Sequence, residues 1–158
     1  MKHFKNFKTC VYCTAQTLAS LDEATLARDY AYLEKYVGID KVYLETYRDG
    51  TWVSIDHMKM IQNFFKKHGV EIAGGITTVT PPLEKDNVKR QRLFQTFCYS
   101  NEAMRTYLKK IVTYTAELFD EIILDDFFFT SCTCDDCLRE RSNLSWAEFR
   151  SKKMIDVA

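Results

Sequence analysis

Three thiols crowd into the hexapeptide Cys132-Thr-Cys134-Asp-Asp-Cys137. Zn²⁺ favours four soft ligands in a tetrahedron, and short cysteine spacings let one loop wrap three of its vertices. The fourth ligand has to come from another segment. Cys98, in Gln95-Thr-Phe-Cys-Tyr-Ser100, precedes a helical stretch and so falls on the loop after the third strand-like run, beside the loop that carries the other three. Four thiolates close the coordination sphere, so the expected role is structural: a zinc that pins a Cys-rich loop over 130–140 and ties it to its neighbour. The competing readings are free buried thiols and a redox pair. Acidic residues between Cys134 and Cys137 would raise thiol pKa values, which argues against redox chemistry. Cys10 and Cys13, three apart in an apolar strand-like run, point to opposite faces and are expected in the core.

The second candidate for chemistry is Asp125-Asp126, set in Ile122-Ile-Leu-Asp-Asp-Phe-Phe-Phe129. Two acids in so apolar a stretch are costly to bury unless they are paired or used. Alternation sends them to opposite faces: Asp125 shares one with Ile123, Asp126 the other with Leu124. Asp125 is the favoured acid for the sheet's interior and Asp126 for loop support, with a structural cap the competing reading for the pair. Other polar groups end up at the same level. Gln16 follows the first run, Glu45, Tyr47 and Arg48 close the second, and Thr77 and Thr78 close the third. Each alone is an ordinary loop residue, and their convergence on one rim is what points to a binding surface. Glu45 and Arg48 so close together in an apolar strand imply a hydrogen-bonded pair. Tyr12, Tyr47, Trp52 and Phe127 are aromatics near the rim that could stack on a ligand, or belong to the core.

Four β-type runs must position these groups: Lys8 to Ala15, Lys41 to Tyr47, Val70 to Thr77 and Glu121 to Phe127. They are rich in β-branched and aromatic residues, as buried parallel strands are. Helical patterns lie between them. A capping box at Ser20-Leu-Asp-Glu23 opens the first, with Leu26, Tyr30, Leu33 and Val37 on one face and Gly38 as the stop. Ser54 caps the second, whose buried face is Met58, Ile61 and Phe65, with Lys66, Lys67 and His68 at its C-terminal end. The third runs from about Asn101 to Phe119, with Met104, Leu108, Ile111, Thr115 and Leu118 inward. A capping box at Ser145-Trp-Ala-Glu148 opens a fourth that runs to Ala158.

Strand and helix alternating at a period of ~30 residues is the βαβ signature. A complete (β/α) barrel takes ~250 residues and eight such units, with its chemistry at the C-terminal strand ends. Four units over 1–158 therefore imply an α/β chain of parallel (β/α) repeats, the N-terminal half of a TIM barrel. A small doubly wound sheet is the alternative, weakened by the lack of a glycine-rich phosphate loop after the first strand.

The composition, 46% hydrophobic and 14% aromatic, suits a compact core, and 22 basic against 22 acidic residues give no basic excess for nucleic acid. No apolar run approaches the ~20 residues of a membrane helix, and the N-terminus lacks the apolar core of a secretory signal. Cysteines clustered as metal ligands fit a reducing compartment, so a cytoplasmic location is expected.

The layout resembles that of carbohydrate-active TIM barrels, and is most similar to the zinc-cluster β-galactosidases of glycoside hydrolase family forty-two and to uncharacterised bacterial glycoside-hydrolase-like proteins. The likeness rests on Arg92-Leu-Phe-Gln-Thr-Phe-Cys98-Tyr-Ser-Asn-Glu-Ala-Met-Arg105, on Cys132 to Cys137, and on Trp146-Ala-Glu-Phe149. It implies that Cys98, Cys132, Cys134 and Cys137 bind one structural zinc and that the substrate is a carbohydrate. The chain departs from that family at the end of the fourth strand, where an Asn-Glu pair supplies the general acid/base and this sequence has Asp125-Asp126. Similarity to the strand-four region of α-amylase-type barrels implies a nucleophile there instead. Hydrolysis needs two carboxyl groups across the scissile bond. Asp125 or Asp126 is expected to be one, with the other on a later strand or, less typically, Glu45. The half-barrel would be completed by a missing C-terminal half or by a second copy as a homodimer. A zinc-stabilised binding or scaffold module without catalysis is the alternative from another class. A metal-dependent hydrolase is disfavoured, because His3, His57 and His68 all lie away from strand ends.

Overall fold

A computed structural model describes residues 4–79, 93–125 and 128–158. In chain order the elements are β1 (Cys10–Cys13), α1 (Ala15–Ser20), α2 (Glu23–Tyr36), β2 (Lys41–Arg48), β3 (Thr51–Trp52), α3 (Ile55–Lys67), β4 (Glu71–Ile76), α4 (Glu102–Ala116), β5 (Ile122–Leu124), α5 (Asp135–Arg141) and α6 (Trp146–Val157). β1, β2, β4 and β5 pair in parallel in that order. The chain is α/β with alternating strands and helices, compatible with part of a barrel. No helix among the described residues is long and apolar enough to cross a membrane.

The expected helices form, with informative differences at their ends. Ser54 caps α3 and Asn101 caps α4, each accepting from an amide three residues on. The Ser145–Glu148 capping box closes in both directions. Ser20 and Glu23 do not form one. Ser20 instead ends the short extra helix α1, its hydroxyl donating to the Thr17 carbonyl at 2.8 Å, and Asp22 caps α2 through the Thr25 amide at 2.7 Å. β3 was also not anticipated. It folds back on β2 through Asp49-Gly50, both at positive φ (49° and 79°), the two-residue hairpin that Asp-Gly favours. β5 is shorter than the run that suggested it, and Asp126 and Phe127 lie outside the described residues.

The sheet has two unlike faces. On one, Val42 and Leu44 share a buried cluster with Met58, Ile61 and Phe65 of α3, and Ile76 shares another with Leu108 and Ile111 of α4. Gly74 lets α4 come close: a Cβ there would sit 2.8 Å from both Phe119 and Thr115. The other face is polar. Lys41 pairs with Glu121 at 2.5 Å, the Tyr43 hydroxyl donates to Glu121 at 3.3 Å, and the Tyr12 ring lies over Gly75. Cys13 packs against the core, where burial pushes its thiol up to about 11, whereas Cys10 is exposed, contrary to expectation, because β1 is an edge strand.

One irregularity decides the site. Glu45 opposes Gly75 and Tyr47 opposes Ile76, so Thr46 is an extra residue, a bulge in β2. The Thr46 hydroxyl pairs with that of Thr115 on α4 at 2.6 Å, and Tyr47 packs beside it on the helix side against Trp52 and Tyr107. Alternation resumes after the bulge one residue out of phase, returning Arg48 to the face of Glu45.

The close approach at Gly74 is testable. Gly74→Ala is expected to destabilise the chain by about 1–3 kcal/mol through overpacking against Phe119 and Thr115. An unchanged urea midpoint would show that α4 can retreat without cost.

Candidate functional site

At the C-terminal ends of β2, β4 and β5, on the face away from the helices, one cation and two carboxylates are locked together. Glu45 has no exposed surface. Its Oε1 accepts from the Tyr12 hydroxyl at 2.8 Å and from the Thr77 hydroxyl, and its Oε2 from the Ala15 amide at 2.6 Å. Arg48 Nε lies 3.0 and 2.9 Å from the two oxygens. The Ala15 amide is the first of α1, one of the donors a helix start leaves without an internal partner. Arg48 then reaches across the sheet, its Nη2 donating to Thr77 Oγ1 at 2.9 Å and to Asp125 Oδ2 at 3.1 Å.

Thr77 is the hub between the acids. Its oxygen is within reach of Glu45 and lies 2.9 Å from Asp125 Oδ2, but its single proton serves one of them at a time. Burial first, and then the charge of Glu45, push the Tyr12 phenol far above its usual range, so Tyr12 stays a donor. Burial alone would lower the Arg48 pKa, and the contact with Glu45 outweighs it. Glu45 is thus a buried anchor, while the Asp125 side chain is 24% exposed and Arg48 21%.

The other residues singled out in the sequence divide. Gln16 sits on α1 with Nε2 3.5 Å from the Arg48 carbonyl, at the margin of the cluster. Tyr47 is not at the rim. It is wholly buried on the helix side, its hydroxyl accepting from the Gly50 amide at 3.2 Å, because the bulge keeps it there. Trp52 packs on the same side, between Tyr47, Tyr107 and Tyr114. Of the aromatics, Tyr12 faces the cluster, and Phe127 lies outside the described residues, as does Asp126. The part of Tyr12 as a partner of Glu45 was missed. Its signal was a hydroxyl-bearing residue near the C-terminal end of the strand that neighbours the one carrying the buried acid. Hollows of about 710 and 560 Å³ lie between α2 and α3, lined by residues such as Tyr30, Phe64 and Lys59, away from this rim.

The four cysteines come together beyond the ends of β4 and β5. Their sulfurs all lie within 4.8 Å of one another, and the separations are 3.7 Å for Cys98–Cys134, 3.6 Å for Cys98–Cys137 and 3.6 Å for Cys134–Cys137. None is bonded to another. Zinc–sulfur bonds of about 2.3 Å would set tetrahedral sulfurs about 3.8 Å apart, so the spacing fits a metal. Cys134 is the N-cap of α5 and Cys137 lies one turn in, which aligns two sulfurs on one side. Cys98 is fixed by its amide donating to Met104 Sδ at 3.1 Å at the start of α4. Contacts with Cys132 and Cys137 push the Cys98 thiol up, and contacts with Cys137 and Cys98 pull Cys132 down.

The family model described as "probable glycosyl hydrolase, catalytic domain" matches residues 1–158. The chain belongs to this glycosyl hydrolase family. It is also 35% identical over 130 residues to the uncharacterized protein SSO3021 of Saccharolobus solfataricus. That match covers 81% of this chain and 21% of the relative, so the chain spans about a fifth of its length. No solved structure matches the chain.

The anchor can be tested without knowing a substrate. Glu45→Gln keeps the shape but leaves Arg48 without its buried countercharge, and is expected to cost about 3 kcal/mol by chemical denaturation. A loss below ~0.5 kcal/mol, the size of an ordinary surface change, would show that solvent compensates Arg48 instead.

Proposed function

We propose that residues 1–158 form the N-terminal half of a (β/α)8-type catalytic barrel that hydrolyses glycosidic bonds, with Asp125 one of its two catalytic carboxyl groups. The observation that carries this reading is Asp125 held by Arg48 and Thr77 at the C-terminal strand ends, on the polar face, in a chain of a glycosyl hydrolase family. Arg48 and Thr77 orient Asp125 Oδ2, and Glu45 fixes Arg48. A carboxylate so held can accept a proton, attack an anomeric carbon or grip a sugar hydroxyl. Glu45 is not its partner across the scissile bond. The two acids share the Thr77 hydroxyl and one guanidinium, so the donors that hold them already stand between them. The second carboxyl group is then supplied by Asp126 or by strands that complete the barrel, whether from further chain or from a second copy pairing at the β1 and β5 edges.

The cysteine cluster is read as a structural zinc site, on sulfur spacing and on the similarity to the zinc-cluster β-galactosidases. Zinc there supplies a closed cross-link between the loop before α4 and the loop before α5, and takes no part in bond cleavage. Purified protein is expected to hold about one zinc per chain, and Cys134→Ser to lose it along with several degrees of Tm. Metal-supplemented protein without zinc by elemental analysis would sink this assignment.

In the completed barrel, Asp125→Asn is expected to lower turnover of aryl glycosides by about 10²–10⁴-fold with little change in Tm. Residues 1–158 alone are expected to be weakly active or inactive. Full turnover by Asp125→Asn would remove Asp125 from the chemistry. The holding of both Glu45 and Asp125 by Arg48 and Thr77 also suits a second reading, a zinc-stabilised carbohydrate-binding module; sugar binding without hydrolysis by the completed barrel, unchanged in Asp125→Asn, would select it.

A further inference from the structure

Glu45 takes one of its donors, the Ala15 amide at 2.6 Å, from α1. That helix is only six residues long, far below the ~12–15 at which a helix holds its shape unaided, so its surroundings must keep the amide in place. Two kinds of contact tie it to α3. Ala15 and Leu18 are wholly buried and share an apolar cluster with Val53 and with Met58 of α3. The other contact is polar. The half-buried ring of His57, third residue of α3, sets Nε2 2.7 Å from the Leu18 carbonyl oxygen. A carbonyl can only accept, so Nε2 carries the proton and the ring donates. The Leu18 amide donates to the Thr14 carbonyl at 2.9 Å, so the residue that His57 grips belongs to the turn that Ala15 begins.

We propose that His57 is a positioning residue for the carboxylate cluster: it holds α1 to α3, which keeps the Ala15 amide on Glu45 and thereby steadies Arg48 and Asp125. The consequence for Asp125 rests on reading it as a catalytic carboxyl group, whereas the tie from His57 to Ala15 does not. The line is unbroken. It runs from His57 to Leu18, through one helical turn to Ala15, and from Glu45 Oε2 through Arg48 Nε at 2.9 Å and Nη2 at 3.1 Å to Asp125. Burial of Leu18 resists lifting α1 out of the core, but apolar contact is non-directional and resists rotation of so short a helix poorly. A hydrogen bond has a preferred direction, and this one supplies what the packing lacks. With the Ala15 amide withdrawn, Oε2 keeps Arg48 alone among the described residues. Glu45 and the guanidinium are then free to turn together, and Asp125 follows them.

The test is amide hydrogen exchange, read residue by residue by NMR on the whole chain. His57→Leu is expected to speed exchange at Ala15 about tenfold or more. Gly74, whose amide donates to the Glu121 carbonyl at 2.8 Å on the inner strand β4, should stay within about twofold of the wild type. His57→Gln, whose amide offers a donor at a similar reach, is expected to hold Ala15 within about threefold of the wild type. In the completed barrel, His57→Leu is expected to lower kcat about tenfold and to leave KM within about twofold, as a misplaced reacting group does. Unchanged Ala15 exchange in His57→Leu would overturn the proposal. Ala15 and Gly74 speeding up together would also overturn it, because that marks a loss of general stability. So would an unchanged kcat in a barrel that Asp125→Asn silences. If Asp125→Asn is fully active as well, the catalytic reading of Asp125 fails, and the exchange at Ala15 still decides the tie to His57.

Discussion

A carboxylate with no exposed surface sits at the centre of this sheet, and much of the local structure follows from keeping it satisfied. Removing Glu45 from water costs several kcal/mol unless its oxygens find donors. They find them from four directions: β1 through Tyr12, α1 through Ala15, β4 through Thr77 and its own strand through Arg48. Three strands and a helix start are thereby held in one register at the strand ends. Such a fully satisfied cluster fixes geometry more than it adds stability, because a hydrophobic replacement of similar volume could be as stable. What it provides is a rigid base on which Arg48 presents Asp125.

The bulge at Thr46 makes this arrangement possible. In a regular strand, residues three apart face opposite sides, and Glu45 and Arg48 could not touch. One of them would lie among the apolar side chains of α3 and α4. The extra residue puts Thr46 and Tyr47 together on the helix side, where Thr115 and Tyr107 receive them, and returns Arg48 to Glu45. Tyr47 therefore serves the site from behind, by filling the space that lets the strand change phase.

The sequence carried the repeat architecture because hydrophobic periodicity and capping residues are local signals, and Ser54 and Ser145 act as caps where their spacing suggests. It carried the cysteine set for a similar reason, since three thiols within six residues suit a metal better than a disulfide framework. The phase of β2 was harder. Charged residues at 45 and 48 in a strand buried on both faces are incompatible with strict alternation, and that conflict was the available sign of a bulge. Asp49-Gly50 was an equally local sign of the hairpin. The Ser20–Glu23 spacing misled because Asp22 offers a better cap once α1 has taken Ser20. The pairing of Tyr12 with Glu45 joins residues 33 apart, and no short-range pattern encodes it.

The cysteine cluster and the carboxylate cluster are separate in chemistry but continuous in packing. Cys98 follows Phe97, whose ring lies 6.1 Å from Tyr107. Tyr107 meets Tyr47 at 5.7 Å, and Tyr47 is the residue that the bulge turns toward the helices. The four cysteines and these rings belong to one apolar cluster that also holds Ile76, next to Thr77. A metal cross-link at the cysteines would therefore stiffen the wall against which β2 changes phase and β4 ends. This is packing support and not a switch, since a switch would need two discrete arrangements of the intervening rings. It gives a physical reason for four clustered cysteines beside a polar rim. Asp125 directly follows the three-residue strand β5, and Cys132, Cys134 and Cys137 come next along the same connection to α5, so a metal held by them would anchor the chain just beyond the acid.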